Sequence, residues 1–353
     1  MAIGAGNPAQ LRKTRAAQTI LPLHLHLTGR TTWRIKRVER AMQHPCKKGG
    51  GLFMQTIYNL HSMNNTNSIF NRRLVQKHRA RASDHFAQHD FFLQRMVGML
   101  AERLEETTRH FDTVLMLGAH SGQFDADIKR AARATTLIHA DASPAMARQC
   151  PSPAISCDEE WLPFAQHSLD AILCPWGLHW VNDMVGSLIQ MRQALKPDGL
   201  LLAMLPGAHS LQELRDILTD AELQLYSGVS ARIAPFVDVR DAGNLLQRAG
   251  FALPVVDSDM LTITYPTMRN MLHDLRGMGE TNALNETPRP LTRSLLKTAE
   301  ELYHARYKLE DNSLPLSVEV VACTAWAPDS SQPTPAKRGS GEVDMEQFFS
   351  QLN

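Results

Sequence analysis

An α/β fold on a mostly parallel sheet is predicted by three features of the 353-residue chain. Val114–Leu117 is an unbroken apolar run, the mark of a strand buried on both faces. It stops at Gly118, and Gly122 follows before a helical pattern at Phe124, Ile128, Ala131 and Ala132. Strand, glycine turn and helix open a doubly wound sheet, where backbone amides and the helix start receive polar or anionic groups. From Thr113 to Leu205, apolar runs alternate with helical faces, which calls for parallel strands joined by helices.

Each element follows from local pattern. Ile69–Ala82, I-F-N-R-R-L-V-Q-K-H-R-A-R-A, reads as a basic lead-in, and Phe91, Phe92, Met96, Leu100 and Leu104 share a helical face. Thr113–Leu117 is strand one. Thr135–Ala140 is strand two, ending at Asp141, and Ser143-Pro144 then supplies an N-cap with proline at the first helical position. Ala154–Cys157 is a short third strand ending at Asp158, and Leu169–Cys174 a fourth. Met184, Leu188, Met191 and Leu195 make a helix closed by the turn Lys196-Pro197-Asp198-Gly199, and Leu200–Leu205 is strand five. Ser210 and Glu213 stand at capping-box spacing before a helix that runs to about Leu225. Val239–Ala249 is a helix with Gly250 at its C-terminal end. Val255–Tyr265 and Leu316–Ala327 read as the last strands, with helical faces at Met268–Leu275 and Leu295–Tyr307 between them.

Composition narrows the class. A hydrophobic content of 43% supplies a large core, and Lys plus Arg at 37 against Asp plus Glu at 36 gives no overall field for nucleic acid or a membrane surface. Five cysteines (Cys46, Cys150, Cys157, Cys174, Cys323) without a Cys-x-x-Cys pair argue for a reducing compartment and against a zinc or disulfide frame. The longest core-like apolar run, Leu200–Leu205, is too short to span a bilayer. Residues 1–62 carry ten basic residues against one acid, Glu39. They read as an unstructured extension or an unused upstream start, as a mitochondrial presequence, or as a nucleic-acid arm. The expected division is therefore a basic extension at 1–62, a domain at 63–328 with a helical insertion at about 266–312, and a loosely held tail at 329–353.

In a doubly wound sheet the ends of strands one, two and three face one crevice. Gly118 and Gly122 would let a nucleoside approach the backbone there. Asp141 is placed to accept both ribose hydroxyls and Asp158 to accept from an adenine amino group; Asp141 reads as an exposed strand-end acid that adds little to the core. Each aspartate taken alone is more often a helix cap or a turn residue, and the spacing of the set is what points to a ligand.

At this point the chain resembles the class I methyltransferases that use S-adenosyl-L-methionine. D-E-E-W-L-P-F (Asp158–Phe164), S-L-D-A-I-L-C (Ser168–Cys174) and L-K-P-D-G (Leu195–Gly199) match that family's core motifs in order. The resemblance implies a Rossmann-like sheet of seven strands, the last antiparallel, with S-adenosyl-L-methionine as cofactor. W-G-L-H-W-V-N-D (Trp176–Asp183), D-L-R-G-M-G-E-T-N-A (Asp274–Ala283) and the closing R-G-S (Arg338–Ser340) are similar to the methyltransferase-like assembly factors of respiratory complex I. These hydroxylate an arginine of a complex I subunit. The next relatives are the malonyl-acyl-carrier-protein O-methyltransferases of biotin synthesis. The resemblance implies a protein substrate and respiratory-chain assembly, in the cytoplasm of a bacterium or the mitochondrial matrix of a eukaryote. Two further readings stand beside it, an O-methyltransferase acting on a small or carrier-bound carboxylate and a non-catalytic scaffold that kept the fold.

The chain departs from the family at the glycine turn, usually D-L-G-C-G-x-G and here Met116-Leu117-Gly118-Ala119-His120-Ser121-Gly122. The acid is missing, and His120 puts a β-carbon and a ring where glycine lets a cofactor approach. Methyl transfer needs no nucleophile from the protein, only alignment of acceptor and methyl group. Hydroxylation needs a metal or organic redox cofactor. His139-Ala140-Asp141 has the His-x-Asp form of an iron triad, but Asp141 is assigned to ribose and His139 lies in a buried strand, so no metal site is expected from the sequence. Trp176, His179 and Trp180 follow strand four at the mouth of the acceptor pocket, with core packing the alternative for the tryptophans. His179 is the candidate donor or base. Glu280, in the insertion, could pair with a substrate arginine or serve as a helix N-terminal acid.

Overall fold

The computed structural model describes residues 68–333 apart from Gln123 and Thr287. The basic extension, the tail beyond residue 333 and the Arg338–Ser340 motif lie outside the described residues. Seven strands form one sheet in the order β3-β2-β1-β4-β5-β7-β6. They are β1 Thr113–Leu117, β2 Thr136–Asp141, β3 Ala154–Ser156, β4 Leu169–Cys174, β5 Leu195–Pro206, β6 Ala252–Tyr265 and β7 Leu314–Trp326. The first five pair in parallel, whereas β7 runs antiparallel to both β5 and β6. The predicted fold class holds, with each strand found within a few residues of its expected span.

Alternation along the central strands divides the interior into two layers. Val114 and Met116 of β1, Ala171 and Leu173 of β4, and Leu200, Leu202 and Met204 of β5 face one core. Their neighbours Leu115, Leu117, Ile172, Cys174, Leu201 and Ala203 face the other. On the first face lie α2 (Phe91–Glu105), with Phe92, Met96, Leu100 and Leu104 buried, and α3 (Asp125–Ala132). α4 (Pro144–Ala147) follows β2, while α5 (Met184–Ala194) and α7 (Val239–Arg248) cover the second face. α6 (Gln212–Tyr226) joins the insertion helices α8 (Met268–Gly277) and α9 (Arg293–Tyr307) in a separate apolar cluster at the end of β6 and β7.

Four local expectations need correction. The lead-in at Ile69–Ala82 contains a helix, α1 (Arg72–Ala82), N-capped by Asn71 and carrying two buried arginines. Ser210 and Glu213 do not form a capping box: Leu211, left-handed at φ 57°, precedes α6. Ser210 instead exchanges hydrogen bonds with the Glu319 backbone at 3.0 Å, and Glu213 accepts from Ser317, so both residues pin α6 to β7. Ser143 occupies the N-cap of α4 but makes no side-chain capping bond; its own N–H donates to Asp141 Oδ1 at 2.7 Å. The Lys196-Pro197-Asp198-Gly199 turn is looped out within β5, since Leu195 pairs with Leu169 and Leu200 with Ala171.

Candidate cofactor and acceptor site

The crevice forms where β1, β2, β3 and β4 end. Gly118 turns the chain with φ +74°, and a β-carbon there would meet the Trp176 carbonyl oxygen at 2.6 Å. Its N–H and that of Ala119 both donate to the Ala140 carbonyl, at 2.8 and 3.0 Å, which ties the turn to the end of β2. Gly122, the second predicted glycine, is also at positive φ and packs against Pro151 and Cys150. His120 lies between them with φ 48°, an uncommon region for a residue with a β-carbon. Its ring is buried and stacks on Phe86 at 5.0 Å, nearly parallel at 8°. Burial, and after it the charge of Arg79, pulls its pKa below the ordinary histidine value.

Asp141 is fully buried, which overturns the expectation of an exposed acid of little structural weight. Oδ1 accepts the Ser143 N–H, while Oδ2 accepts the His120 N–H at 3.1 Å and lies 3.5 Å from Arg79 Nη1. Asp158 is also buried and accepts from Arg72 at 2.6 Å and from the Glu160 N–H at 3.0 Å. Between the two aspartates Glu159 pairs with both arginines, with Arg79 at 3.0 Å. Burial raises the Glu159 pKa, but Arg72 and Arg79 outweigh it and hold the carboxyl at about 2. The two strand-end acids therefore share the crevice with two guanidinium groups that the sequence reading missed. Arg72, Val75, His78, Arg79 and Ala82 are the buried residues of α1, an i, i+3, i+7 stripe with arginine in apolar positions. That spacing was the available signal.

Acceptor candidates converge beside this network. Glu280 Oε2 accepts from His179 Nε2 and from Trp180 Nε1, each at 2.9 Å. Glu280 follows the C-terminal end of α8, its N–H donating to the Leu275 carbonyl, so it is not a helix N-terminal acid. Burial raises its pKa, yet the His179 charge and hydrogen bond, with Arg79 and His120, bring it down to about 2. Trp176 packs edge-on against Phe92 at 4.8 Å and lies 5.2 Å from the His179 ring; Trp180 packs edge-on against Phe70 at 5.4 Å. Both tryptophans belong to buried apolar clusters, as the core-packing alternative expects. His139 is taken: its Nε2 lies 2.6 Å from Asp125 Oδ1.

The segment Asp274–Ala283 clamps α1 over the crevice. The Asn71 N–H donates to the Ala283 carbonyl at 2.7 Å, His78 Nδ1 lies 3.1 Å from the Thr281 carbonyl, and Arg81 reaches Thr281 Oγ1 at 2.9 Å. Gly279 lies so close to α1 that a β-carbon would stand 3.2 Å from Arg79 Cα. Several buried polar atoms here have no hydrogen-bond partner among the described residues: both ring nitrogens of His120, Ser121 Oγ, Ser143 Oγ, Arg79 Nε and Nη2, His179 Nδ1 and Glu280 Oε1. An interior this polar with so many unmet groups fits a polar ligand.

Residues 115–203 match the family of methyltransferase domains. The chain is 32% identical over 285 residues to the arginine-hydroxylase NDUFAF5, mitochondrial, of Danio rerio, covering 79% of this chain and 88% of that protein. The chain belongs to the arginine-hydroxylase NDUFAF5 family. The human NDUFAF5 protein is 33% identical, with 79% and 83% covered. The malonyl-[acyl-carrier protein] O-methyltransferase of Xylella fastidiosa is 29% identical, with 76% and 92% covered. Among solved structures, the YcgJ protein of Bacillus subtilis is similar at 17% identity and a TM-score of 0.47, covering 67% of this chain and all (100%) of that one. A methyltransferase domain takes its methyl group from S-adenosyl-L-methionine, and that is the cofactor the domain assigns to this NDUFAF5-family chain. Among the described residues no helix is long and apolar enough to cross a membrane.

Proposed function

We propose that this chain binds S-adenosyl-L-methionine in the β1–β2–β3 crevice and modifies an arginine side chain of a respiratory complex I subunit. The observation that carries the reading is Glu280. A largely enclosed carboxylate, ionised down to about pH 2, has one oxygen satisfied by His179 and Trp180 and the other without a hydrogen-bond partner among the described residues. A guanidinium is the complement of that oxygen: planar, always charged, and at home against aromatic faces such as Trp176 and Trp180. A carboxylate acceptor would meet repulsion from Glu280, which disfavours the malonyl-carrier reading despite the Xylella relative.

For the cofactor, the Gly118 turn offers backbone, Asp141 a carboxylate for the ribose hydroxyls, and Asp158 an acceptor for the adenine amino group. Arg79 and Arg72 stand on these acids, so α1 withdraws its guanidinium groups when the nucleoside enters. The long 3.5 Å contact of Arg79 with Asp141 is the weaker hold and yields first. His179, held by Glu280, is placed to receive or return a proton at the acceptor nitrogen.

The test is incubation of the full chain and its Glu280→Gln variant with arginine-containing peptides and S-adenosyl-L-methionine, in air with a two-electron reductant, read by mass spectrometry. A product heavier by one oxygen or one methylene on arginine, lost in the variant, supports the reading. Modification of a carboxylate instead, or of nothing while the cofactor binds, overturns it in favour of the O-methyltransferase or the scaffold.

A further inference from the structure

Outside the crevice, α8 meets the loop before α2 in a second group of chemistry-bearing side chains. His89 is buried, His273 exposed and Asp274 intermediate, and one donor atom from each lies within 4.8 Å of the other two. We propose that His89, His273 and Asp274 form a site for a divalent transition-metal ion.

The separation of the buried pair already suits an ion. His89 Nδ1 lies 2.8 Å from Asp274 Oδ1. Two donors held at right angles about 2.1 Å from a metal lie roughly 3 Å apart, so this hydrogen bond has the span of two adjacent ligands. The rings of His89 and His273 are 5.0 Å apart and inclined at 59°, leaving space between them for a shared ligand. Gly277 makes the position of His89 possible, because a β-carbon there would overlap the imidazole ring. With His273 exposed, the remaining coordination positions open to solvent.

Two imidazoles and one carboxylate favour iron, cobalt or zinc over magnesium and calcium, which prefer all-oxygen sets. The same donors with open positions hold iron in oxygenases. The sequence hid the site because His89 and Asp274 are 185 residues apart.

The experiment is a titration of the chelator-stripped full chain with Co(II), followed by its visible absorption and by thermal melting. We expect a Co(II) band in the wild type and about tenfold or greater weakening in His273→Ala and in Asp274→Asn, with metal-free melting unchanged. His273 is exposed and asparagine keeps an acceptor for His89, so both variants should fold. Histidines elsewhere, His24 and His26 among them, can take cobalt themselves, so the comparison with the variants decides. Equal titration of all three proteins, or no band in the wild type, overturns the site. S-adenosyl-L-methionine binding, measured separately, depends on Asp141 and not on these residues, so loss of one proposal leaves the other standing.

Discussion

The glycine turn and the clamp above it are built in opposite ways. The turn from Gly118 to Gly122 is held by short-range backbone bonds to the end of β2 and by Asp141, 21 residues on from the His120 N–H that it accepts. The clamp joins α1 to Asp274–Ala283 across about two hundred residues of chain, through side chains such as Arg81 and Thr281, 200 apart. A local motif advertises itself in sequence, whereas a clamp of distant parts advertises only its individual residues. Most of the polar groups that decide ligand entry belong to the second kind.

The largest effect is expected in Arg79→Met, on the face of α1 that the clamp holds over the crevice. It leaves Glu159 and Asp141 buried with one guanidinium fewer, and losing one partner of a buried pair costs roughly 3 to 5 kcal/mol. Urea denaturation should show a loss of that size. A change below about 1 kcal/mol would mean that Arg72 alone satisfies the acids.

Glu280→Gln sharpens the comparison by removing charge while keeping shape. We expect a loss of about 1 to 3 kcal/mol, since the His179 bond to a charged group weakens. Arginine-peptide affinity should fall about tenfold, with cofactor affinity retained. Calorimetry on both ligands separates the two effects.

Acidity probes the clamp as a whole. Glu159 and Glu280 are held at about 2, below their ordinary 4.5. A depressed carboxylate contributes stability above its unfolded pKa and loses it as pH falls through the folded value, so stability should fall between about pH 4.5 and 2. His78 and His120 add to the slope earlier. Their folded pKa values lie below 6.5, so the unfolded chain binds more protons and stability begins to fall below about pH 6.5. Urea midpoints across this range should show both limbs, with the lower one reduced in Glu280→Gln. A flat profile would contradict the pairing.

The smallest effect belongs to the turn. His120→Gly relieves a left-handed conformation worth about 1 to 2 kcal/mol and forfeits the stack on Phe86, worth about 0.5 to 1.5 kcal/mol beyond its buried area. Net stability should move by no more than about 1 kcal/mol, while cofactor binding tightens as the backbone becomes approachable. Weaker binding would show that the imidazole takes part.

Much of this molecule was legible before its structure. Four apolar residues in β1, the glycine after them and the acids after β2 and β3 report local physics, because a buried parallel strand and its turn leave little choice of residue. The Trp176–Asp183 and Asp274–Ala283 motifs meet in the structure, through the Glu280 contacts with His179 and Trp180. What could not be read was the occupancy of the crevice. Arg72 and Arg79 look like any basic surface in I-F-N-R-R-L-V-Q-K-H-R until their partners, Asp158, Glu159 and Asp141, are brought to them. Asp141 misled for the same reason: as a strand-end acid it looked exposed, whereas two backbone amides and α1 enclose it. Ser210 and Glu213 had capping-box spacing, but β7 offered both a better partner.

The central claim, that Asp141 receives the cofactor's ribose once Arg79 yields, is tested most directly by calorimetric titration of S-adenosyl-L-methionine into the full chain and its Asp141→Asn variant. Asparagine keeps an acceptor for the two backbone amides but loses the charge that two hydroxyl donors favour. The account predicts binding in the wild type and affinity weaker by about tenfold or more in the variant, a difference of about 1.4 kcal/mol. Equal affinity in the two proteins, or no binding to the wild type, would contradict it.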